Sequence, residues 1–186
     1  MFLIALGANL PSPVGPPRAT LETALEALAG GAIAVRARSP WYRTAAFPAG
    51  SGPDFVNGAA VLDTGLAAAE LLDALHAVER RLGRHRERRW APRACDLDLL
   101  AWDDRVLPDA ATAREWIDLP PDERQHRAPP GVVLPHPRLQ ERGFVLRPLA
   151  DVAPDWRHPV LDRTVADLLA ALPPDALEGI ERLDPA

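Results

Sequence analysis

The chain contains no lysine: all 21 of its basic residues are arginine. Chemistry that depends on a lysine amine is therefore excluded. Its one cysteine, Cys95, rules out an internal disulfide and reads as a small buried hydrophobe, because the residues that alternate with it are apolar. No apolar run reaches the roughly eighteen residues needed to span a bilayer. The opening Met1-Phe2-Leu3-Ile4-Ala5-Leu6 is too short, and lacks preceding basic residues, to be a signal peptide, so the expectation is a cytoplasmic protein with no membrane partner. The formal net charge of −5 argues against general adhesion to nucleic acid.

What is present is enough for one domain with a full core: 186 residues, 47% hydrophobic and 25% charged. The positive charge is concentrated. Between Glu79 and Arg93 stand Arg80, Arg81, Arg84, Arg86, Arg88, Arg89 and Arg93 against only Glu79 and Glu87. Such a patch in an acidic chain suggests one anionic ligand held in one place.

Directly after it comes Asp96-Leu97-Asp98-Leu99-Leu100. In a strand, successive side chains point to opposite faces, so Asp96 and Asp98 share one face while Cys95, Leu97 and Leu99 share the other. Two carboxylates roughly 7 Å apart repel unless a cation lies between them, and Mg2+ with phosphate oxygens is the usual hard-ligand solution. A solvated acidic edge strand is the plainer alternative.

The remaining pattern is mixed. Phe2–Leu6 reads as a strand ending in a turn at Gly7-Ala8-Asn9-Leu10, and 19–29 as a helix with Leu21, Leu25 and Leu28 on one face. Ile33–Tyr42 alternates as a half-buried strand, and Phe55–Leu62 is another. Pro48–Pro53 has the composition of a mobile loop. Leu66–Leu82 is the clearest helix, with Gly83 as its stop, and a charged loop then leads to a strand over 96–102. That order predicts an α+β fold: a ferredoxin-like antiparallel sheet flanked by helices. Residues 103–131, poor in apolar side chains, read as an insertion with a helical turn over 111–116. Gly143–Leu149 and Thr164–Leu172 read as helices, followed by a polar tail. His85, His126 and His158 lack zinc-site spacing and receive no role.

Taken in order, Gly7-Ala8-Asn9-Leu10, Tyr42-Arg43-Thr44, Phe55-Val56-Asn57, Arg89-Trp90-Ala91-Pro92-Arg93 running into Asp96-Leu97-Asp98, Leu134-Pro135-His136-Pro137 and Arg142-Gly143-Phe144 resemble the 6-hydroxymethyl-7,8-dihydropterin pyrophosphokinase family. The resemblance runs from Phe2 to about 172, with 103–131 longer than in compact members. It implies transfer of pyrophosphate from ATP to the pterin hydroxymethyl group in folate biosynthesis, with release of AMP.

The resemblance also assigns residues. Asp96 and Asp98 would hold two Mg2+ ions, and Arg84 and Arg93 would steady the phosphates as the catalytic arginines. His76, Glu79, Arg86, Trp90, His136 and Arg142 fall on the nucleotide side. Thr44, Ala45, Ala46 and Phe47 would edge the pterin with their backbone, although the family often has prolines where Ala45 and Ala46 stand. Phe55 and Phe144 would stack on the ring, and Asn57, sharing a strand face with Phe55, would bond its edge. ATP and the pterin are the expected ligands, and no protein or nucleic-acid partner is legible. The rival from another class is a ferredoxin-like module that holds RNA through its arginines.

Overall fold

A computed structural model of the chain describes residues 1–46, 52–83 and 93–183. Strand β1 (Phe2–Ala8) lies at the centre of the sheet and is buried along almost its whole length, which explains its continuous apolar sequence. Helix α1 (Pro17–Ala29) starts with a proline, whose missing N–H costs nothing in a first turn, and buries Leu21, Leu25 and Leu28.

The strand expected over Ile33–Tyr42 is two strands, β2 (Ile33–Arg38) and β3 (Tyr42–Thr44), both paired with β4 (Phe55–Thr64). Pro40 has no N–H to give the ladder, and the Ser39 hydroxyl fills in by accepting from the Ala59 N–H at 2.9 Å. Helix α2 (Ala68–Arg81) seats Leu71, Leu75 and Val78 on the sheet and ends before Gly83, whose φ of +91° is open to glycine at little cost. Strand β5 (Asp96–Trp102) has the expected bounds.

The segment expected to be little-ordered is more structured than its composition suggests. It carries α3 (Ala110–Asp118), capped by the Asp109 side chain on the Thr112 N–H, and α4 (Pro121–His126). Ala113, Trp116, Leu119 and Val133 form a small apolar cluster of their own there. Helix α5 (Gly143–Val152), a two-stranded hairpin β6 (Arg157–His158) and β7 (Arg163–Thr164), and α6 (Val165–Ala170) follow. The polar tail is not featureless: it makes a 3-10 turn at Pro174–Leu177 and a last strand, β8 (Glu181–Arg182), which pairs with β3.

The sheet order is β5-β1-β4-β3-β8, with β2 also on β4 and each pairing antiparallel. With β2 and β3 counted as one interrupted strand, this is the expected ferredoxin-like order. Helices α1 and α2 cover one face over Phe2, Ile4, Leu6, Leu97 and Leu99. Helices α5 and α6 cover part of the other over Leu3, Ala5, Ala59, Val61 and Leu100. Cys95 is fully buried with the first group, as its alternation with the acids requires. Among the described residues, no helix is long and apolar enough to cross a membrane.

Candidate active site

The face under α5 changes character part-way along its strands. On β1, Leu3 and Ala5 are core and the next residue of that face is Gly7. On β4, Val61 and Ala59 are core and the next are Asn57 and Phe55. On β5, Leu100 is core and the next are Asp98 and Asp96. Strand register aligns these changes, because Gly7 pairs with Asp96 on one side and with Asn57 on the other. Asp96, Gly7 and Asn57 therefore form one row across three strands. With strands ~4.8 Å apart, the acid and the amide stand about 10 Å from each other across a position that has no side chain.

The amide end of the row is held in one orientation. Asn57, 5% exposed, donates from Nδ2 to the Thr44 hydroxyl at 2.7 Å. Its Oδ1 faces Gly7, where an added Cβ would lie only 3.1 Å away. Phe55 is half-buried beside it and pairs with Thr44. Ala46 is buried and Ala45 exposed, while Phe47 lies outside the described residues.

The acidic end is matched by arginines. Arg93 is ion-paired with Asp96, and the Arg142 Nη1 lies 3.4 Å from Asp98. Asp96 and Asp98 are 17% and 36% exposed, so both stay within reach of solvent. Burial lowers the pKa of Arg142 and Asp98 offsets this, which leaves its guanidinium charged. The same guanidinium lies 5.8 Å from the centroid of the Phe144 ring, which is 42% exposed.

His136 sits alongside, its backbone N–H bonded to the Leu100 carbonyl at 2.7 Å. Burial, aided by Arg142 and Arg138 and opposed by Asp98, takes its pKa down to about 4. It is neutral near pH 7. Its Nδ1 accepts from the Arg138 N–H at 3.1 Å, so Nε2 carries the proton and is a donor.

Two residues stand behind this surface. Glu79 is 1% exposed and its carboxylate accepts from the Leu97 N–H at 2.8 Å, between the two acids. The resemblance puts Glu79 at the nucleotide, and this bond also ties it to β5. Asn9, quoted above only as part of a motif, accepts from the Arg93 N–H at 2.8 Å and donates to the Pro53 carbonyl at 3.2 Å. It joins the chain entering β4 to the chain entering β5. The signal for it was an amide directly after an apolar strand and a Gly-Ala turn. His76 is half-buried on α2, three residues before Glu79. Arg84, Arg86 and Trp90, which the resemblance places on the nucleotide side, lie like Phe47 outside the described residues.

The model of the family described as 7,8-dihydro-6-hydroxymethylpterin-pyrophosphokinase (HPPK) matches residues 3–154, a span that includes Gly7, Asn57, Arg93, Asp96, Asp98, His136 and Arg142. The chain belongs to this family. Among relatives of the HPPK family, the 2-amino-4-hydroxy-6-hydroxymethyldihydropteridine pyrophosphokinase of Pseudomonas aeruginosa is 42% identical over 181 residues, 97% of this chain and 94% of that protein. A protein of the same name from Synechocystis is 37% identical over 168 residues, covering 90% and 73%. Among solved structures, HPPK-DHPS of Plasmodium falciparum superposes with a TM-score of 0.63 at 14% identity, over 91% of this chain and 44% of that one. The chain thus spans less than half of that protein, and the likeness concerns the fold.

The donor set suits the hard cation expected for HPPK chemistry. Among the described residues no group of three or more His, Cys, Asp or Glu side chains is placed to hold a metal. The protein supplies two carboxylates on one strand face, which fits Mg2+, an ion that keeps several waters and takes phosphate oxygens beside one or two carboxylates.

Proposed function

We propose that this chain transfers the β,γ-pyrophosphoryl group of ATP to the hydroxymethyl oxygen of 6-hydroxymethyl-7,8-dihydropterin, giving the pterin diphosphate and AMP in folate biosynthesis. Family membership supports the reaction. The observation that carries the assignment of residues is the row Asp96, Gly7, Asn57, with acids at one end and an oriented amide at the other.

Asn57, with one Nδ2 hydrogen given to Thr44, offers its Oδ1 and its second Nδ2 hydrogen to the pterin edge. Phe55 and Phe144 supply the faces between which a flat ring lies, each contact worth on the order of 1 kcal/mol beyond burial. The bare Gly7 leaves room for the ring to point its hydroxymethyl group toward Asp96 and Asp98. These two carboxylates would hold Mg2+, which neutralises phosphate charge and acidifies a bound hydroxyl.

Each acid is paired with an arginine before any ligand arrives. A triphosphate bound beside these acids would offer Arg93 and Arg142 phosphate oxygens in place of the carboxylates, so neither guanidinium would be left without an anion. His136 adds a neutral Nε2–H donor on the same side. No covalent intermediate is required, and positioning with charge neutralisation supplies the catalysis.

The RNA-binding alternative is disfavoured by the sheet: α1 and α2 cover one face, α5 and α6 cover part of the other, and the uncovered row carries Asp96 and Asp98, which would repel a phosphate backbone. The test is AMP release from ATP, with and without the pterin and Mg2+. AMP that requires both supports pyrophosphoryl transfer, whereas ADP, or turnover indifferent to the pterin, would sink it.

A further inference from the structure

We infer that the C-terminal segment Pro174–Leu183 is a strap that sets the distance between the two walls of the pterin slot, and so tunes pterin affinity without touching the ligand. The inference rests on the pterin assignment of Phe144 and Asn57 given above.

One end of the strap is pressed against the start of α5. A Cβ added at Gly143 would stand 2.0 Å from the Ala176 carbonyl oxygen and 3.1 Å from the Leu177 Cδ2. Gly143 does not have a left-handed φ, so glycine is needed there for space and not for backbone freedom. Arg142 and Phe144 are its two chain neighbours. The strap therefore bears on the backbone that carries the exposed stacking ring.

The other end is sewn to the opposite wall. Glu181 and Arg182 pair with Arg43 and Tyr42 of β3, and the Leu183 N–H donates to the Trp41 carbonyl at 2.8 Å. Thr44, the next residue of β3, orients the Asn57 amide. Without β8, the three-residue β3 would present an open edge, and short edge strands fray readily.

Little slack separates the two anchors. From Ala176 to Glu181 is five residues, at most about 17 Å of extended chain. That length is shortened by a turn at Gly179, φ +69°, and by the Ile180 N–H bonding the Leu177 carbonyl at 3.3 Å. The far end of α5 is tied to the same strand, since the Tyr42 hydroxyl donates to Asp151 at 2.7 Å. Helix α5 is thus referenced to β3 at both ends, by a side chain at one and by the strap at the other.

The strap's residues are exposed or half-buried and contribute none to the main cores, so loosening it is expected to cost little global stability. That separates a positioning role from a structural one. In full-length protein, Gly143→Ala drives the strap away from α5, and Leu183→Pro removes its bond to Trp41. KM for the pterin and for ATP, kcat and the melting midpoint are measured for each. The expected result for Gly143→Ala is a pterin KM raised about tenfold with a smaller rise in the ATP KM, because Arg142 is the other neighbour of Gly143 and small displacements weaken oriented groups. Leu183→Pro is expected to act in the same direction by about threefold, with a melting midpoint close to wild type. Should Gly143→Ala not fold, Leu183→Pro decides alone. Parallel rises in both KM values, or no change in either, would overturn the strap. Wild-type protein that turns over nothing with the pterin would overturn the functional reading, and the strap with it.

Discussion

Gly7 and Gly58 stand one register position apart on neighbouring strands, yet they face opposite sides of the sheet and are needed for different reasons. A Cβ at Gly58 would lie 2.6 Å from the Trp41 ring, inside the core covered by α1 and α2. A Cβ at Gly7 would lie 3.1 Å from Asn57 Oδ1, in the open row between amide and acids. On one face glycine makes room for packing, and on the other it makes room for a ligand. The two faces of this sheet thus divide the work, and substitutions should divide the same way.

The largest effect is expected on the open face, at the acids. Asp96→Asn or Asp98→Asn keeps size but removes a charged ligand and unbalances its arginine, and kcat should fall at least about a thousandfold. Pterin affinity, measured by direct titration, should change little because the ring is held at the other end of the row. Near wild-type turnover in either variant would remove the metal assignment. Next comes the packed face. Gly58→Ala should cost about 1–3 kcal/mol in urea unfolding through overpacking against Trp41, with both KM values unchanged. Gly7→Ala should do the reverse, raising the pterin KM about tenfold, equivalent to ~1.4 kcal/mol, while stability stays close to wild type. If Gly7→Ala and Gly58→Ala gave the same profile, the division between faces would fail.

This division was partly visible in the sequence. The alternation Cys95, Leu97, Leu99 against Asp96, Asp98 already assigns opposite faces, because strand periodicity is a local property. So does the helical stripe of α2. What one strand cannot disclose is its register with the next, and the row joining Asp96 to Asn57 through Gly7 exists only once β1, β4 and β5 are aligned. Glu79 shows the same limit: the resemblance places it with His76 on the nucleotide side, and only the packing of α2 against β5 discloses its bond to the Leu97 N–H. The break between β2 and β3 was signalled by Ser39-Pro40 but outweighed by the alternation around it. Strand β8 is not legible in the sequence because two exposed residues have no pattern, and their pairing depends on an edge supplied by distant β3. The order within 103–131 is hidden for a related reason: Trp116 and Leu119 are too few to signal a core until Val133 and Val160 are folded against them.

The smallest expected effect lies outside both faces, at a histidine to which spacing assigns nothing. His158 is fully buried in the β6–β7 hairpin, where its Nδ1 accepts from the N–H groups of Val160 and Leu161 at 3.2 and 3.3 Å. Burial takes its pKa down to about 4 from an ordinary 6.5, with Arg114 contributing in the same direction. The folded state therefore binds fewer protons than the unfolded state between pH 6.5 and 4. The stability this neutral ring contributes is complete above pH 6.5 and is lost progressively as pH falls toward 4. His136 titrates with the same sign, so the His158 part must be read as a difference. His158→Asn retains a short acceptor for the two N–H groups and removes the titration. Between pH 7 and 5.5, wild type should lose about 1 kcal/mol more unfolding free energy than the variant. Equal losses would mean that His158 is protonated in the folded hairpin, and that its two N–H bonds do not hold the ring in its neutral form.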